Sequence, residues 1–227
     1  SSLFYLEHEK ETIVQSDYDY PIALVGQNIG INAGCTTIPL RKDFMEHILF
    51  WGANKEEQTT GVLMNAFISL ILSYKAQGQD ADFMVIDCLP TTNARYKKVL
   101  ANLEAKGLCR LVERQSSGSV LKGLVDDIKS GCATPTVLAI IGSERFIEIK
   151  RKMPLVQNIS SSFEDDGMIG FDMGSIDLMG DAAEEDTNNM TYPQALMYLL
   201  EEGSMHGIHV LLQIDKPSNI LFGDEYD

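Results

Sequence analysis

Lysine and arginine are missing from one long stretch of this chain. Of its 18 basic residues, none lies between Lys152 and Lys216, a span that carries twelve carboxylates. Such a segment repels a polyanion, so contact with DNA through this part of the chain is not expected. Apolar runs of about 18 residues are also missing, which excludes a membrane-spanning helix. The N-terminus, SSLFYLEHEKE, has no basic stretch followed by an apolar one, which excludes a secretory signal. A cytoplasmic location without membrane contact is therefore expected, although a longer parent protein could carry an anchor. The chain starts with Ser rather than Met, and we expect it to be a piece of a longer polypeptide. Its four cysteines, Cys35, Cys88, Cys109 and Cys132, form no CxxC pair and have no histidine at metal-ligand spacing. Reduced core thiols are expected, and no metal site. No GxSxG, HExxH or Cys–His nucleophile arrangement is present either.

What is present is a globular composition. The chain has 227 residues, 44% of them hydrophobic, enough for one large domain with a core. Residues 1–19 read as a lead-in. Alternating segments at 22–25 and 31–38 predict two short strands. A strand at 47–51 then leads into a helix over 58–74, whose apolar positions Val62, Leu63, Ala66, Phe67, Leu70 and Ile71 recur at helical spacing. Further strands are predicted at 82–89, 108–112 and 136–141, alternating with helices at 91–106 and 120–128 and a short basic helix at 145–152. A helix at 192–206 and a strand at 208–214 close the pattern. Strands 25 to 35 residues apart, alternating with helices, predict a parallel sheet covered on both faces.

Residues 160–189 break this rhythm. They are rich in Gly, Ser and carboxylates, yet contain Met168, Ile169, Phe171, Met173, Ile176, Leu178 and Met179. Two readings stay open: a mobile acidic surface loop, or a loop that docks onto a protein partner through those apolar positions.

The turn after the first sheet strand is the most informative stretch. Residues 52–59 are Gly52, Ala53, Asn54, Lys55, Glu56, Glu57, Gln58 and Thr59. The phosphate-binding pattern GxxxxGK[ST] needs glycines for close backbone approach and a lysine for the β/γ-phosphates. Here the first Gly and the final Thr stand, while the second Gly is Glu57 and the Lys is Gln58.

Two blocks resemble the FtsK/SpoIIIE/HerA superfamily of DNA-pumping P-loop ATPases. PIALVGQNIGI followed by EHILFWGA is similar to the start of that family's motor domain. MYLLEEGSMHGIHVLLQIDKPSNI is similar to its segment ending in TQRPS, with Gly207, Ile208, His209, Pro217 and Ser218 matching. The resemblance covers about residues 20 to 222. It implies an α/β, RecA-like P-loop fold over 20–227, a mainly parallel sheet flanked by helices, with extra N-terminal strands and an acidic insertion at about 160–189 before the last strand. It also assigns roles that this chain does not fill. The metal-binding and base-providing carboxylates of Walker B fall on Gly142 and Ser143, with Glu144 one position out of register. The phosphate-sensing Gln and Arg fall on Asp215 and Lys216. Asp87 matches the Asp that closes a neighbouring strand, and His47 and His209 match histidines at strand starts, where structural roles are expected.

A phosphoryl-transfer enzyme relies on positioned cations and metal for its rate. A carboxylate at position 57 would oppose a phosphate by about 1 kcal/mol in water and several in a less polar site. The expectation is a degenerate, non-catalytic motor-like domain that binds no cofactor of its own, with ATP and Mg²⁺ acting in sister domains of the same polypeptide and a hexamer as the family's assembly. A degenerate domain of a type VII secretion ATPase such as EccC or EssC, which bind protein substrates, is the first alternative. A weak residual ATPase using Glu144 and Thr59 is the second.

Overall fold

A computed structural model of the chain describes residues 19–27, 35–43, 45–53, 55–155 and 187–215. The lead-in at 1–18, most of the acidic insertion, Asn54 and Lys216 lie outside the described residues.

The sheet is built from the apolar runs. Strands β3 (Ile48–Trp51), β4 (Asp82–Asp87), β5 (Arg110–Val112), β6 (Thr136–Ile141) and β7 (Ile208–Ile214) form one parallel sheet in the order β3-β7-β6-β4-β5. β6 and β7 are buried along their whole length, as expected for central strands of a sheet covered on both faces. Helices α1 (Glu56–Ala76) and α2 (Ala94–Ala105) cover one face, where Phe67 packs edge-on against Phe83 at 5.7 Å. Helices α3 (Ser117–Lys129), α4 (Ile147–Lys150) and α5 (Tyr192–Glu202) cover the other. This is the α/β, RecA-like arrangement that the sequence predicts.

The two extra strands, β1 (Ile22–Gln27) and β2 (Cys35–Pro39), stay out of that sheet and form an antiparallel ribbon of their own. The ribbon lies on α1. Ser69 and Ser73 of α1 accept backbone N–H bonds from Leu24 at 2.7 Å and Ile22 at 3.0 Å. That contact explains why α1 buries Ser69 and Ser73 as well as its apolar stripe: it is covered on a second side, and the buried hydroxyls are satisfied.

Several boundaries differ from the sequence reading. α1 starts at Glu56, two residues before Gln58, and runs to Ala76. α3 starts at Ser117, directly after a 3-10 turn. The predicted basic helix at 145–152 is a 3-10 turn (Ser143–Arg145) followed by the single-turn α4. The predicted helix at 192–206 is α5 plus a 3-10 turn (Gly203–His206), ending on Gly207 at φ 79°. α5 opens with a capping box in which Thr191 and Gln194 satisfy each other's backbone N–H groups. Cys88 and Cys109 are buried as expected, whereas Cys132 is exposed. Among the described residues, no helix is long and apolar enough to cross a membrane.

Candidate functional site at the carboxyl edge of the sheet

In an open parallel sheet, ligands bind beyond the carboxyl ends of the strands. The altered motif positions meet there. β3 ends at Trp51, and Gly52 N–H donates to the carbonyl of Ile214 at the end of β7, at 3.2 Å. Lys55 N–H donates back to Gly52 at 3.0 Å, and α1 begins at the next residue. Only Gly52, Ala53, Asn54 and Lys55 therefore separate strand and helix. Glu56, Glu57, Gln58 and Thr59 form the first helical turn.

The first helical N–H bond runs from Thr59 to Lys55 at 3.0 Å, and the Thr59 hydroxyl donates to the same carbonyl at 2.9 Å. A methyl group added at Gly52 would stand 1.9 Å from Thr59 Oγ1. Gly52 is thus required by the packing of Thr59 against it. The Glu57 carbonyl accepts from Tyr96 Oη at 2.9 Å, which fixes this turn to α2.

A charged cluster fills the mouth of the loop. Arg145 Nη1 donates to Glu56 at 2.7 Å and pairs with its own neighbour Glu144. Burial pushes the Glu144 carboxyl above its ordinary range, and its hydrogen bond with Glu56 adds to this. One oxygen of Glu144 is buried without a partner. Burial opposes the charge of Arg145, but Glu56, Glu144 and Asp215 together hold it above its ordinary value. Two acidic side chains also favour the positive end of the α1 dipole, in the position an incoming phosphate would use.

Beneath this cluster lies a polar layer. Thr60 Oγ1 bonds the Glu56 carbonyl at 2.7 Å and Gln213 Oε1 at 3.1 Å. Gln213 Nε2 donates to the Glu56 carbonyl at 3.3 Å, and the Gln213 carbonyl accepts from Ser143 Oγ at 2.5 Å. Gly142 adopts a left-handed conformation, φ 70°, and turns the chain out of β6. The strand ends at Ile141, so strand alternation does not govern position 144. Glu144 instead turns toward α1. Asp87 accepts from Leu89 N–H at 2.9 Å and pairs with Lys97 at 2.8 Å, a closed contact within β4 and α2.

The structure therefore brings the loop residues, Ser143 and Asp215 to one place. Asp215 contributes its carboxylate field and a carbonyl that accepts from Trp51 Nε1 at 3.2 Å. Sequence reasoning missed Arg145, Gln213 and Thr60. Gln213 carried a signal, a polar residue inside an otherwise apolar strand. Arg145 carried none, because its partner Glu56 lies 89 positions away.

This arrangement does not fit a nucleotide phosphate with Mg²⁺. The Thr59 hydroxyl is spent on the backbone, and the Glu56 and Glu144 carboxylates are paired with Arg145 at the start of α1. Among the described residues, no group of three or more metal-ligating side chains could hold an ion. Open concavities among the described residues lie elsewhere, two of them larger than 500 Å³. One, of about 600 Å³, runs along β5 and α3 past Met84, Arg110 and Gly123. The other, of about 530 Å³, lies over α5 beside Met190, Met197 and Tyr198.

At the opposite edge, His47 and His209 are structural. His47 Nδ1 accepts from Val210 N–H at 2.9 Å, and His209 Nδ1 bonds the Glu46 carbonyl at 2.8 Å. Burial, together with the neighbouring His209 ring 6.4 Å away, pushes His47 down to about 4. Burial lowers His209 as well.

No protein-family profile matches the chain, and no curated protein matches its sequence. Among solved structures, it is similar to Thermomonospora curvata EccC, ATPases 2 and 3, in complex with a signal sequence peptide. The TM-score is 0.52 at 13% identity, over 90% of this chain. The chain spans 35% of that protein's chain. The likeness supports the P-loop ATPase fold of the parallel sheet.

Proposed function

We propose that this chain is a non-hydrolysing ATPase-like domain of a larger, tandem-domain FtsK/SpoIIIE-type protein, acting through the surfaces it presents to its neighbours. The observation that carries this reading is the Glu56–Arg145–Glu144 cluster at the start of α1. Side chains of this chain occupy the position where a motor domain binds phosphate. Sister domains of the parent protein would supply ATP and Mg²⁺, and the assembly would follow the hexameric habit of the resembled family. Calorimetry with ATP and Mg²⁺, paired with a phosphate-release assay, tests it. We expect neither binding heat nor turnover. Micromolar binding with turnover would favour a residual ATPase using Thr59 and Glu144 and would sink this reading.

Between the two transport classes, we favour a protein-secretion system of the EccC kind over a DNA translocase. Two facts support this choice: the net charge of −15 and the likeness to a domain pair solved with a bound peptide. In a gel-shift titration with duplex DNA near physiological salt, we expect no retardation. Tight retardation by this domain alone would return the DNA translocase to first place.

A further inference from the structure

Helix α5 is uncharged on its outer face as well as its inner one. From Met190 to Leu200 the sequence MTYPQALMYLL contains no Asp, Glu, Lys, Arg or His. Surface helices set charged or polar residues opposite their core stripe, and a helix that is apolar all round is covered on both sides. The inner stripe, Tyr192, Ala195, Leu196 and Leu199, is buried against the sheet. The outer stripe, Gln194, Met197 and Tyr198, lines the open concavity of about 530 Å³, where Met197 is 37% exposed. That concavity has a charge at each end. Lys152 stands beside the first turn of α5, because the next residue, Met153, accepts from Tyr192 N–H at 2.9 Å. Glu201 stands in the last turn, about 15 Å further along the helix. The surface is thus positive, apolar and negative in order along α5.

We propose that this groove takes α5 of a second copy of the chain, with the two helices antiparallel about a two-fold axis at Met197. A two-fold interface uses the same patch on both copies, so the patch must complement itself when turned about the axis. This one does. The turn sets Met197 and Tyr198 of one copy against the same apolar strip of the other, and methionine adapts well to such contacts. It also carries Glu201 of each copy toward Lys152 of the other, so opposite charges meet twice. A partner with charge of one sign would meet a like charge at one end of the groove. The strip is only three helical turns long, shorter than an interface burying ~800 Å² per partner requires, so the dimer forms in the micromolar range or above. α5 lies on the face of the sheet opposite α1. This contact and the reading of residues 52–59 therefore stand or fall separately.

Sedimentation velocity of the 227-residue chain over a concentration series tests this, with circular dichroism as the fold control. We expect the parent chain to shift from monomer toward dimer as its concentration rises into the upper micromolar range. Met197→Glu should stay monomeric with unchanged circular dichroism. Lys152→Glu and Glu201→Lys should each weaken dimerisation severalfold, because each places like charges together at both ends. The two changes combined exchange the charges and should restore dimerisation to near the parent level. A parent chain that stays monomeric throughout would overturn the proposal. So would a dimer that Met197→Glu leaves intact, or a charge-exchanged variant that dimerises no better than the single ones.

Discussion

The two edges of the parallel sheet differ in what their polar groups do. At the amino edge, His47 and His209 each spend Nδ1 on a backbone partner of a neighbouring segment, and burial disfavours the charged form of both rings. At the carboxyl edge, Arg145, Glu56 and Glu144 bond mainly to one another, with Arg145 partly open to solvent and Glu144 largely buried. The amino edge ties its polar groups into the backbone, and the carboxyl edge gathers charged side chains at the start of α1. Residues that hold the fold and residues that would do chemistry are thus separated by the length of the strands.

The largest expected effect tests the core on which both edges hang. Phe67 is fully buried against Phe83. Phe67→Ala should cost about 3–5 kcal/mol in urea unfolding through the cavity it leaves. A loss under about 1 kcal/mol would mean that α1 does not carry the sheet.

The amino edge is probed next, through pH. His47 binds its proton near pH 4 when folded and near 6.5 when unfolded. The unfolded chain therefore takes up protons first, so stability present above pH 6.5 is lost as pH falls toward 4. Allowing for partial exposure, the loss is on the order of 1–3 kcal/mol. A His47→Asn/His209→Asn variant should show a flatter profile between pH 6.5 and 5. An unchanged slope would place the titrating groups elsewhere.

The carboxyl edge comes third. Arg145→Met leaves Glu56 and Glu144 facing each other, which should cost about 1–2 kcal/mol because the cluster is partly exposed. Adding Glu144→Gln should recover most of that loss, since the remaining carboxylate no longer meets a like charge. Additive effects of the two changes, measured as a double-mutant cycle, would show that the three groups do not act as a unit.

The smallest effect separates the edges most sharply. Glu57→Gly with Gln58→Lys restores the motif letters on an exposed turn. It should cost about 1 kcal/mol for glycine in a helix and produce no phosphate release with ATP and Mg²⁺. Turnover by this variant would mean that the site retains more chemistry than its shape suggests.

Most of the fold was legible because its strands are apolar runs. TVLAII and IHVLLQI can be buried on both faces only at the centre of a sheet. The ends of elements were less legible. Nothing local in 52–59 says that the helix begins at Glu56, because its first turn is fixed by Tyr96 of α2 and Gln213 of β7. The motif losses could be read one by one, but Arg145 could not be placed from a short basic run. Its role comes from an αL turn at Gly142 and from a carboxylate far away in sequence.

Glu56 also sets a threshold for anything that would bind there. It is an anion tethered to the chain, so it competes for Arg145 at an effective concentration on the order of millimolar. A free phosphate group at micromolar levels has to displace a ligand that never diffuses away. The start of α1 thus carries an anion of its own against Arg145, supplied by the chain itself.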